Sequence, residues 1–151
     1  MPTEHVDIID GERHEPKGAD SASAGASYVS DGAQSGNWSL PIHYFAVTMD
    51  DIGGDDAYLP VPIAGDIVYF QSVLHEALTV ADATIDLKIG TVAVTGGQIV
   101  ITQAASAVGD VDSATPTALN TVAVGDYLHL DNDLAATGGA VTFIIGIQGA
   151  A

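Results

Sequence analysis

Histidine and carboxylate are the side chains with chemistry to offer, since the 151 residues hold five His and 20 Asp plus Glu but no Cys. The histidines are His5, His14, His43, His75 and His129. None is spaced from another as HxH or HxxxH, the patterns by which one strand or one helix turn presents two imidazoles to an ion. His43, His75 and His129 fall in segments with strand character and are expected to be satisfied or exposed strand residues. His5 and His14 lie in an N-terminal stretch, where they are available to a partner. Acidic groups cluster at Asp50-Asp51, Asp55-Asp56, Asp110 with Asp112, and Asp131-Asn132-Asp133. All four are expected in loops, where carboxylates suit calcium, yet none has the glycine and distal glutamate of an EF-hand. They are expected to be solvated turn residues, and no metal or other cofactor is assigned. Nucleophilic catalysis has no motif: GxSxG is missing, and His75-Glu76, the adjacent His and carboxylate in strand-like sequence, would point to opposite faces. Gly96-Gly97 is not followed by a helix, so it forms no phosphate cradle. A single Trp and three Lys plus Arg make a glycoside-cleaving cleft a poor fit. The expectation is a protein that is not an enzyme.

Charge narrows the partners. A formal net charge of -17 excludes a nucleic-acid footprint, which needs clustered Lys and Arg, and opposes an anionic membrane surface. Charged residues are only 15% of the chain and hydrophobic ones 47%, so the acidity belongs to a folded object with a core. Without cysteine, stability must come from burial or oligomerisation. No apolar run approaches the roughly 20 residues that span a bilayer, and the first 30 residues lack the pattern of a secretory signal. The expected site of synthesis is therefore the cytoplasm.

The elements that must position these groups are strands. Residues 1–37 differ from the rest: 1–17 carry Arg13 and Lys17 beside a small apolar knot of Val6, Ile8 and Ile9, and 19–37 are rich in Ser, Ala and Gly. Such a composition has little apolar area to offset ordering entropy, and it is read as an extended arm or linker. Residues 38–151 are read as the body. Segments 41–49, 67–74, 84–89, 127–130 and 141–148 show β-branched and aromatic enrichment or clean alternation, as in Ile85, Leu87 and Ile89 against Asp86 and Lys88. Residues 92–94 and 98–102 flank Thr95-Gly96-Gly97, which reads as a hairpin turn. Pro60 and Pro62 place 58–63 on a sheet edge or in an extended connection. Recurrent glycine turns and no sustained helical period predict an all-β fold, an antiparallel β-sandwich or jelly-roll-like barrel with an extended N-terminal arm.

Several strings carry a family likeness: AVTMDDI at 46–52, LPVPIAGDI at 59–67, SVL at 72–74, ADATIDLKIG at 81–90, VAVTGG at 92–97, and above all GDVDSATPTALNTV at 109–122. They resemble the small virion proteins of tailed bacteriophages that decorate the capsid or form head fibres. The resemblance implies a cement protein of the virion's outer surface. It would be a homotrimer at threefold positions of the capsid lattice, binding the major capsid protein and reinforcing the head against packaged DNA. It further implies that Val6, Ile8 and Ile9 anchor in an apolar groove of the capsid and that Arg13 and Lys17 meet acidic shell residues. Trp38, Tyr44 and Phe45, where arm meets body, would contact shell or neighbouring subunit, or else pack in the core. The alternative from another class is a receptor- or glycan-binding module of a head or tail fibre. It would use a calcium-assisted ligand site in the loops around 50–56 and 131–133.

Overall fold

The structure is a computed structural model that describes residues 22–30, 36–54, 56–133, 136 and 139–149. The backbone separates into two compact units at Pro41/Ile42. Within the first, β1 (Ser27–Ser30) and β2 (Gly36–Ser39) form an antiparallel hairpin in which Tyr28 lies opposite Trp38. Their rings meet edge to face at 5.4 Å, a cross-strand aromatic pair that a Ser- and Gly-rich composition conceals. Val6, Ile8, Ile9, Arg13 and Lys17 lie outside the described residues.

The second unit is an antiparallel β-sandwich, and no helix occurs among the described residues. Its strands are β3 (Ile42–Met49), β4 (Ala57–Pro60), β5 (Gly65–Leu74), β6 (Ala83–Ile89), β7 (Val92–Ile101), β8 (Val111–Ala114), β9 (Thr121–Val122), β10 (Tyr127–Asn132) and β11 (Val141–Gly149). One sheet has the order β4-β10-β6-β7; the other has β3-β11-β5-β8, with β9 also pairing β5. Period-two alternation decides the inner faces. Ala83, Ile85 and Leu87 of β6 are buried while Thr84, Asp86 and Lys88 face outward. Val141, Phe143, Ile145 and Ile147 of β11 are buried likewise. Phe143 stacks on Phe70 of β5 with ring centroids 5.7 Å apart, and both are fully buried. Burial of side chains this size contributes about 1.5–3 kcal/mol each, which is what closes the two sheets on each other.

Three local departures shape the surface. In β5, Ile67 points inward and then Phe70, Ser72 and Leu74 do, because Val68 is an extra residue where Gly146 faces Tyr69 but Ile147 faces Ile67. On the outer face, Gly146 leaves room for Tyr44 and Tyr69, whose rings meet at 5.6 Å; a Cβ there would stand 2.9 Å from Tyr69 Cβ. The segment around Gly96-Gly97 is not a hairpin turn. β7 runs through it, and the β6–β7 hairpin turns instead at Gly90-Thr91, with Ile89 opposite Val92. The glycines serve a bulge and a close approach. Gly96 has φ +74°, and a Cβ on it would meet the Thr115 carbonyl oxygen at 2.3 Å, where residues 115–118 cross β7 and bridge Ala118 to Thr95. Pro60 ends the edge strand β4, as a residue without a ladder donor must.

Candidate functional site

The densest charge chemistry lies on the outer face of the four-stranded sheet. β10 runs between β4 and β6, so His129 is flanked by Tyr58 on one side and Lys88 on the other. Asp131, two residues along β10, shares that face and lies opposite Asp86. Asp56, just before β4, reaches back with Oδ2 2.9 Å from His129 Nε2, while its Oδ1 accepts the Asn132 N–H at 3.1 Å. Asp131 Oδ1 lies 3.6 Å from the same imidazole nitrogen, and its Oδ2 accepts from Lys88 Nζ. The Tyr58 ring stacks on the imidazole at 4.5 Å with an interplanar angle of 9°, fixing its plane. Gln98 of β7 donates to Asp86 at 2.8 Å and closes the row. Asn132, buried beneath the cluster, donates from Nδ2 to the Ile52 carbonyl and so ties the loop after β3 to β10.

These contacts shift two groups of the cluster, Asp56 and Lys88. Burial pushes the Asp56 carboxyl up, but the Asn132 N–H, the hydrogen bond and charge of His129 and the Lys88 charge together hold it below the usual aspartate range. The hydrogen bond to Asp131 raises Lys88 above its ordinary value against the opposing effect of desolvation. Asp112 moves the other way, raised by burial and then by the charge of Asp110. A depressed carboxylate gives stability that is present above its unfolded value and lost as pH falls through the folded one. Asp56→Asn is therefore expected to flatten the acid limb of stability below about pH 4. Urea midpoints of both proteins across that range check this, and parallel curves would remove Asp56 from the acid transition.

Trp38 sits in the β1–β2 hairpin against Tyr28. Tyr44 is exposed on the outer face of the five-stranded sheet, whereas Phe45, the next residue, packs half-buried against the core. His75 is exposed and its Nε2 pairs with Thr142 Oγ1 at 2.8 Å. The cluster around His129 escapes a search for HxH or HxxxH; its signal is His129-Leu130-Asp131, an HxD on one strand. It is hidden because Asp-Asn-Asp reads as a loop. Asp131 and Asn132 instead belong to β10, and likewise Asp112 belongs to β8, which corrects the expectation that these acids lie in loops.

The two ends of the sandwich differ in chemistry. Loops following β3, β5, β7 and β10 gather at one end and expose Asp50, Asp51, Glu76, Asp82, Asp110 and Asp133. At the other end, the β6–β7 turn meets the segments flanking β9, and Val92, Leu119, Val124 and Tyr127 are exposed. Ile89, Val92, Leu119 and Thr121 line an open groove there of about 390 Å³. The acids at this end, among the described residues, are Asp66, which accepts from Thr121 Oγ1, and Asp126, which accepts from the Ala123 N–H.

Fold and surface together define an acidic β-sandwich with one apolar end and a histidine–carboxylate cluster on one sheet. No protein-family model matches the chain, and no curated protein is significantly similar to it.

Proposed function

We propose that the protein is a non-enzymatic capsid decoration protein of a tailed bacteriophage, acting as a homotrimer at threefold positions on the outside of the head and reinforcing the shell of major capsid protein. The observation that carries this reading is the acid-poor end of the sandwich, where Val92, Leu119, Val124 and Tyr127 are exposed beside an open groove, whereas the exposed Val80 and Val108 at the opposite end stand among carboxylates. Isolated exposed apolar residues are ordinary, but a set gathered at one acid-poor end marks an interaction surface. Contact through the apolar end leaves the acidic end toward solvent, where it keeps particles apart and repels nucleic acid. Beyond Lys17 the chain has one Lys or Arg, Lys88, and Asp131 engages it, so basic or apolar partners suit this surface better than anionic ones. Added to this is the resemblance of 109–122 and neighbouring strings to virion proteins. Three copies joined through a trimer raise the effective concentration of each weak contact, and the N-terminal segment would add contact area of its own.

Cosedimentation with undecorated phage heads tests the reading. Saturable binding by the full chain, with loss of binding in a folded protein lacking residues 1–41, is the expected result. A well-folded full chain that fails to bind heads would overturn it, and would favour a receptor- or glycan-binding fibre module.

A further inference from the structure

We propose that Asp56, His129 and Asp131 form a site for a divalent first-row transition ion of the zinc or manganese class. The donors converge: one ligand atom from each of His129, Asp56 and Asp131 lies within 4.8 Å of the other two. An ion about 2.1 Å from each donor sets neighbouring donors about 3.0–3.4 Å apart. The observed separations from Nε2 are 2.9 Å to Asp56 and 3.6 Å to Asp131, so small side-chain movements complete the set.

The support behind the donors has the form of a metal site. Each carboxylate turns one oxygen toward Nε2 and has its other oxygen held by a separate donor, the Asn132 N–H for Asp56 and Lys88 Nζ for Asp131. An ion can thus take the inner oxygens without breaking either outer bond, and the ammonium of Lys88 remains bonded to the outer oxygen of Asp131. Tyr58 stacking holds the ring plane. Both carboxylates are acceptors, so Nε2 carries the proton in the ion-free protein, and an ion takes that proton's place. One imidazole nitrogen and two carboxylate oxygens suit zinc, cobalt or manganese; calcium takes six to eight oxygens. The ion would staple the start of the edge strand β4 to the centre of its sheet, and the positions it leaves open face solvent.

The test uses the full chain with zinc and, separately, manganese, titrated calorimetrically in excess magnesium to occupy diffuse acidic sites. One ion per chain is expected. His129→Gln and Asp56→Asn are each expected to weaken it about a hundredfold or more, since losing even an outer-shell partner costs about 10–100-fold. A variant with His5 and His14 both changed to Gln should bind like the parent. Manganese should broaden the His129 ring resonances in the unmodified protein, a readout that stands if a variant fails to fold. No binding above magnesium, binding that survives His129→Gln, or broadening confined to other histidines would overturn the proposal and leave the cluster as an ion-pair network.

Discussion

On the proposed capsid-decoration reading, Leu119→Asn is expected to stabilise the free protein by about 1 kcal/mol and to weaken attachment to undecorated heads by about tenfold or more. Leu119 has φ +52°, a left-handed conformation that a leucine adopts only when its surroundings impose it. The neighbours supply the constraint. Ala118 bridges to Thr95 on one side, and on the other Asn120 donates from Nδ2 to the Ile67 carbonyl while accepting the Ile67 N–H. With the backbone clamped, the side chain stands 64% exposed on the groove wall beside Ile89 and Val92, where burial within the chain does little to offset the strain. Asparagine tolerates this conformation, so the substitution removes strain and apolar surface together. A higher urea midpoint at unchanged m-value, with weaker cosedimentation, is the expected pair of results. Val108→Asn serves as the control, because Val108 is even more exposed but lies in the loop after β7 at the acidic end. If Leu119→Asn binds heads as the parent does, the apolar end is not the contact surface.

What was legible in the chain depended on the range of the interaction that decides it. β3, β6 and β11 follow from alternation, because a half-buried strand writes its inner face into every second residue. β5 shows strand composition but no constant face, since the bulge at Val68 shifts the phase and its cause lies on β11. Gly96-Gly97 carries a turn signal that is locally sound, and only the crossing of residues 115–118 explains why the glycines sit within a strand. The His129 cluster needs three distant segments. His129 and Asp131 are two apart, but Lys88 arrives by the β6–β10 ladder and Asp56 by the approach to β4. The apolar end is less legible still, because Leu119 comes beside Val92 only where the segment after β8 crosses β7 and Ala118 bridges to Thr95. Tyr44 and Phe45 show the limit in two residues: adjacent aromatics on one strand cannot share a face, and the sequence leaves open which one looks inward.

Phe143→Ala is expected to cost about 3–5 kcal/mol, a large part of the about 5–15 kcal/mol that holds a domain of this size folded. Phe143 lies on the inner face of β11, which is itself flanked by β3 and β5, and its ring lies on Phe70 with no exposed surface. A cavity there has strands on both sides that cannot collapse inward without breaking their ladders, which places the cost toward the upper end of the range. Denaturant titration gives the loss directly. The variant also separates folding from attachment, because Phe143 contributes nothing to the surface. A shell that binds the folded state alone must stabilise the variant by mass action, by about 2.7 kcal/mol when binding sites exceed the dissociation constant a hundredfold. Saturating heads should therefore raise the melting temperature of Phe143→Ala, whereas Leu119→Asn should gain less from the same heads despite its greater stability in isolation. If instead heads shift both variants alike, attachment does not run through the groove at the apolar end. If they shift neither, the folded sandwich does not bind the shell.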